Sequence, residues 1–530
     1  MKLMRKYLNH WSGSPSRSLS FSIWFLWLIL AECSIAGVIP ANPSNYFSLL
    51  GTLQPGDTLL LEPGQYDDPS KPPGLPFFGV QGTASNPITI MGDLGLPRPV
   101  LLGRSTHNTV RFDDASYIVL RHLEIDGRDL GGDGVKAQGT AHHITLEDLY
   151  IHGVGSDQQI VGISTKAAAW NWIVRFCTIE EAGTGIYFGD SDGSSPFIAG
   201  LIEHNFIFDS VGYNAQIKHQ NPRPATPGIP TNDNVTIIRD NVFSKAGNSS
   251  IGANARPNLL VGHVPLAGPG TNDQYLITGN FFYQNPTGEP LFQGEGNIAL
   301  HNNVFVNHDG PAVWIQPHND VPRDVLVFYN TVIATETGIR VIGGSPQFQQ
   351  AVIGNASFAS IPFDAASLTD NIGDTYSAAG NYVVNPFGGP GAVDLYPLNG
   401  ALTGSLINSS SFAGVQESNH DFNDSHRSHA YRGAYSGAGS NPGWPLSLAI
   451  KPVGAPAIFN LSWGAQGFCA KIPTWSGRLH GFERSPDVVA AEWIAVTNVT
   501  GNGAEHDVVD PTGGSSSHIY RTNTRFLSLY

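Results

Sequence analysis

The chain has 530 residues, with 61 Gly, 37 Pro, 13% charged side chains and a net charge of -15. So many chain breakers and so few charges exclude a coiled coil or a helix-rich bundle, and 41% apolar residues exclude a disordered chain. The acidic balance argues against nucleic acid or an anionic membrane surface as the main partner. An anionic substrate would need a local basic strip or a bridging cation.

The N-terminus reads as an export signal over residues 1–36. Lys2, Arg5, Lys6 and Arg17 precede the apolar run 21–31, and Ser34-Ile35-Ala36 offers small residues for cleavage. The run is too short to span a bilayer comfortably. A lipoprotein signal at Leu30-Ala31-Glu32-Cys33 ranks second, because Glu32 stands where a small residue is wanted. The expected location is secreted or periplasmic. Cys33, Cys177 and Cys469 make no disulfide framework, and no other stretch is apolar enough for a transmembrane segment.

From about residue 57 to 360, short β-branched and aromatic runs alternate with Gly, Asn and Asp turns. Examples are YIVLRHLEIDG (117–127), HITLEDLYIHG (143–153), NWIVRFCTIEEAG (171–183), AGLIEHNFIFDS (199–210) and NVTIIRDNVFS (234–244). Apolar residues alternate within each run, as in a strand with one buried face. Ile144 to Ile173 spans 29 residues, Ile173 to Leu201 28, and Ile298 to Val325 27. Periods of about 20–50 residues mean a solenoid or propeller. Two or three short strands per period, without tight hairpins, predict an all-β parallel β-helix over residues 37–440.

Asn205, Asn241, Asn280, Asn303, Asn330 and Asn355 recur at one place in six coils. Asn tolerates left-handed turn geometry, and stacked amides can bond one another, so a ladder is expected. Residues 441–530, with Trp444, Trp463, Trp475 and Trp493, show no period; they read as an irregular C-terminal tail of unassigned structure.

LQPGDTLLLEPGQY (53–66) and GTASNPITIMGDLGLPRPVLLGRS (82–105) resemble the opening of right-handed parallel β-helix proteins of the pectin-lyase-like superfamily, including chondroitinase-B-like and alginate-lyase-like members. DFNDSHRSHAYRGAYSG (421–437) is similar to the segment that closes such chains, so the resemblance covers residues 50 to about 435. It implies the right-handed solenoid, and it leaves activity open, because this fold hosts lyases, hydrolases, epimerases and adhesins. The Arg motif of pectate lyases and the Asp motifs of polygalacturonases are absent.

Outward residues of stacked strands form columns about 4.8 Å per coil. The short strands after the Gly turns place Ile163, Ile186 and Ala215 inward. Ser164, Tyr187 and Gln216 then point outward, followed by Lys166, Gly189 and Lys218. The chain has nine lysines, two of them in the signal segment; Lys136, Lys166 and Lys218 fall on one strand of nearby coils. This suits β-elimination on a uronic-acid polysaccharide, which needs cations for the enolate and a base of lowered pKa. Lys218 is the expected base, His219 or Arg223 its partner and Lys166 the carboxylate clamp. Lys136, Tyr187, Gln216 and Trp314 would line the substrate groove. Asp190 and Asp192 could hold a Ca²⁺, and the resemblance points the same way, since β-helix lyases of several families use Ca²⁺ with Lys or Arg.

The expected protein is a monomeric, exported polysaccharide lyase acting on an acidic polysaccharide. A glycoside hydrolase is the variant, needing two carboxylates about 5–9.5 Å apart; Asp133 with Asp190 is the candidate pair. A non-catalytic surface protein that binds glycans is the rival of another class.

Overall fold

The computed structural model describes residues 36–67, 70, 74–105, 107–155, 157–454, 458–464, 466–486, 493–512 and 518–526. Of the export signal read over residues 1–36, residues 1–35, with Cys33, lie outside the described residues. Among them, no helix is long and apolar enough to cross a membrane.

From Val38 to Asp374 the chain winds as a right-handed parallel β-helix, each coil pairing in parallel with the next. Right-handed winding is the sense in which twisted parallel strands connect. A typical coil supplies three strands: Ile173–Arg175, Thr178–Glu180 and Thr184–Phe188. The stacked equivalents of Thr184–Phe188 form the groove sheet.

The interior is set by alternation. Leu120, Leu146, Val174, Ile202, Ile238, Ile277, Leu300, Val327 and Val352 pair in one continuous column and are all buried. Side chains of one strand alternate between faces, so this column fixes every neighbour's direction. Ile173 pairs with Thr145 rather than Ile144, so that step is one residue shorter than the sequence spacing suggested.

The asparagine ladder forms. Nδ2 of Asn205, Asn241, Asn280, Asn303 and Asn330 each donates to Oδ1 of the next Asn at 2.9–3.0 Å. Asn355 continues it to Asn371 at 3.0 Å, and Cys177 N–H donates to Asn205 Oδ1 at the other end. The left-handed geometry falls one residue earlier than expected. His204, Asp240, Gly279, Asn302, Tyr329 and Gly354 carry positive φ, whereas the ladder asparagines do not. Asn is there for its amide, which bonds its neighbour's side chain and a strand carbonyl together.

A second column carries alternating charge: Arg121, Glu147, Arg175, Glu203 and Arg239. Ion pairs join Arg121 to Glu147 at 2.9 Å, Arg175 to Glu147 at 2.6 Å and Arg239 to Glu203 at 2.8 Å. The sign alternation was visible in the runs VLRH, TLED, IVRF, LIEH and IIRD.

After the last coil the chain returns along this charged face. Phe412 stacks on Phe328, Glu417 pairs with Arg239, Arg427 donates to Asn302, and Lys451 pairs with Asp240. Phe526 meets Phe176. The described residues between 459 and 526 form a β module of two three-stranded antiparallel sheets, Phe459–Gly464, Gly467–Pro473 and Glu505–Asp510 in one, Arg478–Ser485, Ile494–Thr500 and Ile519–Phe526 in the other. Their apolar faces meet through Phe468, Ile472, Phe482, Val508 and Tyr520. The tail thus has regular structure, and its lack of period reflects antiparallel strands of unequal length.

Candidate functional site

The groove sheet keeps the register read from the sequence. Ile163, Ile186 and Ala215 pair inward. Lys136, Ser164, Tyr187, Gln216, Leu260, Gln293, Trp314 and Arg340 form one outward column. Lys218 N–H donates to the Phe188 carbonyl at 2.8 Å, which sets Lys218 beside Gly189 and, one coil further, Lys166. Gly189 adopts φ +91 and carries no side chain between them.

Lys166 and Lys218 line one pocket of about 180 Å³ with Tyr187, Gln216, Tyr213, Gln158 and Arg256. Lys166 Nζ sits 5.0 Å from the Tyr187 ring centre. Arg256 lies 5.9 Å from the Tyr213 ring and spends Nη1 on the carbonyls of Ala253 and Ala255. Its backbone carbonyl accepts bonds from Lys245 Nζ and Asn285 Nδ2, both at 2.8 Å. Across the rim, Gln158 donates to Ser250 Oγ and the Asn254 carbonyl. The loop that brings Arg256 in is therefore tied on two sides.

The state of the cations is informative. Lys136 pairs with Asp133 at 2.9 Å, Lys451 with Asp240 at 2.7 Å and Lys471 with Asp507 at 3.5 Å, while Lys245 donates to a carbonyl. Among the described residues, the Nζ atoms of Lys166 and Lys218 have no carboxylate and no hydrogen-bond acceptor. Two unneutralised ammonium groups and Arg256 face one hollow in a chain of net charge -15. Burial lowers the Lys218 pKa, against the raising pull of Glu295 and Asp190. Burial, with Asp190, Tyr213 and Asp192, pushes the Tyr187 phenol up to about 12.

Other expected site residues are placed elsewhere. Arg223, expected beside the base, instead has a side chain 2% exposed and paired with Asp273, and it donates to the carbonyls of Pro230 and Asn232. It pins a loop and does not line the Lys166–Lys218 pocket. His219 packs its ring against Gly193, outside the pocket lining, and burial and Lys218 lower its pKa. Lys136 shares the column but is neutralised by Asp133, which also accepts the Val161 N–H. That commitment removes Asp133 from the hydrolase pair proposed with Asp190. Trp314 lies further along the column, half-buried, with Arg340 5.2 Å from its ring.

Asp190 and Asp192 do not make a calcium site by themselves. Asp190 accepts the Ser191 N–H and Asp192 the Ser194 N–H, as loop carboxylates do. Among the described residues, no group of three or more His, Cys, Asp or Glu is arranged to hold a metal ion. Ca²⁺ takes six to eight oxygens, so this donor set is too small by itself.

Sequence reasoning missed Arg256, Tyr213 and Gln158. They come from loops whose length varies between coils: successive ladder asparagines stand 36 and 39 residues apart here, against 23–27 further on. A larger hollow of about 750 Å³ lies by Arg121, Arg175, Phe176 and Phe526. Its arginines are paired with Glu147, and its Asp148 with Arg98 and His122, so it offers no free charge of either sign in quantity.

No family model and no curated protein matches the chain. Solved structures match at the level of the solenoid. A lacto-N-biosidase from Eubacterium ramulus is 13% identical over 64% of this chain and 68% of that one, with a TM-score of 0.40. An alginate lyase from Paenibacillus is 19% identical over 54% of this chain and 97% of that one, TM-score 0.33. The A-module of a mannuronan C-5 epimerase from Azotobacter vinelandii is 13% identical over 61% and 88%, TM-score 0.34. The fold itself rests on the strand pairing of this chain, which is a right-handed parallel β-helix.

Proposed function

We propose that the protein is an exported polysaccharide lyase that cleaves a uronic-acid-containing glycan by β-elimination in the Lys166–Lys218 pocket. The observation that carries this reading is the pair of unneutralised lysines facing one pocket of the groove sheet. A uronate carboxylate supplies the charge they lack. Lys166 and Arg256 hold that carboxylate and take up the negative charge that spreads onto it as the enolate develops. Lys218, in the neutral amine form that burial favours, takes the proton from the carbon bearing the carboxylate and becomes an ammonium. The electron pair of that C–H bond forms the new carbon–carbon double bond. The glycosidic C–O bond on the neighbouring carbon breaks, and its oxygen leaves with a proton. Tyr187, whose phenol stays protonated at neutral pH, stands in the same pocket as the donor for that oxygen.

The test is release of unsaturated uronate products from a panel of anionic polysaccharides by wild type, Lys218→Ala and Lys166→Ala. Product from wild type, at least about 100-fold slower from Lys218→Ala, is the expected result for a lost general base. Product formed equally by Lys218→Ala would keep the lyase and discard this base. No product from folded wild type, with polysaccharide binding retained, would turn the reading to a glycan-binding protein.

A further inference from the structure

The Lys218 column continues beyond the pocket. Gly262 N–H donates to the Ile217 carbonyl at 2.8 Å and Glu295 N–H to the Val261 carbonyl at 3.2 Å, so Lys218, Gly262 and Glu295 occupy one position in three successive coils. Lys218 and Glu295 are thus about 10 Å apart along the sheet, two strand spacings. Gly262 contributes no side chain between them, and none fits: a Cβ there would lie 2.2 Å from the His219 nitrogen.

Glu295 is held unusually firmly. Its Oε2 accepts the backbone N–H groups of His318, Asn319 and Asp320 at 3.2, 2.8 and 3.1 Å. Three N–H donors fix its orientation. The residue is 2% exposed, and its other oxygen, Oε1, is buried without a hydrogen-bond partner. A buried carboxylate oxygen left open is costly unless something charged visits it. Lys218 Nζ, on a flexible four-carbon stem two coils away, is the nearest unneutralised cation in the column.

We propose that Glu295 is a positioning residue for Lys218: its free Oε1 seats the Lys218 ammonium across the gap left by Gly262. In the elimination, the proton that Lys218 takes from the sugar makes it an ammonium, and Glu295 draws that ammonium out of the pocket, clear of the product carboxylate. The catalytic consequence rests on the lyase reading; the seating itself does not. The other charged or titratable groups facing Lys218 are Asp190 and His219 on its flanks, with Lys166, Arg256, Tyr187 and Tyr213 across the pocket.

The experiment measures the rate at which acetic anhydride acetylates Lys218 and Lys166 as pH is raised, read by peptide mass spectrometry. Wild type is compared with Glu295→Gln, whose amide oxygen can still accept the three N–H groups. Loss of a facing negative charge moves the Lys218 midpoint down by about one pH unit, with the Lys166 midpoint unmoved as the internal control. An unmoved Lys218 midpoint overturns the proposal, and so does an equal shift at both lysines. If Glu295→Gln folds poorly, Glu295→Asp withdraws the carboxylate by one carbon, and its Lys218 midpoint falls by a smaller amount; no fall overturns the proposal. On polysaccharide, Glu295→Gln shifts the pH profile of kcat by the same amount with KM unchanged. A moved midpoint from a protein without lyase activity would retain the seating and reject the lyase.

Discussion

Arg478 of the C-terminal module places Nη2 3.1 Å from a carboxylate oxygen of Glu203 on the β-helix, 275 positions earlier in the chain. The same nitrogen reaches Asp240 at 3.2 Å and His204 Nε2 at 2.8 Å, and all four side chains are buried. Burial alone would raise the Glu203 carboxyl; Arg239 and Arg478, with His204 and Arg175, bring it down to about 2 instead. The module and the coils are therefore one electrostatic unit. Buried Arg478 takes its carboxylate partners, Glu203 and Asp240, from the coils.

Arg478→Ala leaves two buried carboxylates short of a cation, a class of change that costs roughly 3–5 kcal/mol. The expected outcome is a clearly lowered Tm with the groove-sheet pocket intact. Truncation after residue 440 removes Lys451 as well as Arg478 and should abolish soluble expression. A truncated chain with wild-type Tm would contradict the unit described above.

The buried histidines should cost stability in mild acid, against the opposing pull of Asp424, whose carboxyl burial and Asp240 raise to about 7. Burial lowers His204 to about 4, as Arg478 also does against the raising pull of Asp240 and Glu203. Burial and Arg427 lower His301 to about 3, and burial drives His420 well below its usual value. Each stays neutral in the fold while its unfolded counterpart protonates near pH 6.5. The unfolded state then binds more protons, so stability drops as pH falls from about 6.5 towards 4. Glu203 adds to the loss in the same direction below its unfolded value of about 4.3. Thermal unfolding across pH 4–8 checks this, and a flat Tm between pH 6.5 and 4.5 would contradict it.

The ladder offers an internal comparison. Asn280→Ala removes the acceptor of Asn241 Nδ2 and the donor to Asn303 Oδ1 and the Ile238 carbonyl, all buried. Each buried group left unsatisfied costs about 1–3 kcal/mol. Asn371→Ala, at the half-buried end, lets water replace the lost bonds and should cost much less. Denaturant unfolding of the two variants measures the difference.

Lys166 and Arg223 should part company. Among the described residues, Lys166 Nζ contacts the Tyr187 ring and no carboxylate, so Lys166→Ala leaves Tm nearly unchanged and, on the lyase reading, raises KM for an anionic polysaccharide severalfold, most strongly at low salt. Arg223→Ala leaves Asp273 buried without its cation and lowers Tm by the equivalent of a few kcal/mol. Its effect on turnover follows the fraction folded.

The sequence alone determined the solenoid, its ladder and the outward column from Lys136 through Tyr187 to Gln216, because strand alternation has period two and each coil repeats the last. It also carried the alternating charges from Arg121 to Arg239, readable in successive runs. What those charges are for, only the tertiary structure decided. Glu417, Lys451 and Arg478 lie in segments with no repeat, and a buried charge selects its partner by distance in space rather than in sequence. The same holds for the pocket. Periodicity placed Lys166 and Lys218, whereas the loop bearing Arg256 and the ion pair that withdraws Arg223 depend on how irregular segments fold over the regular coils.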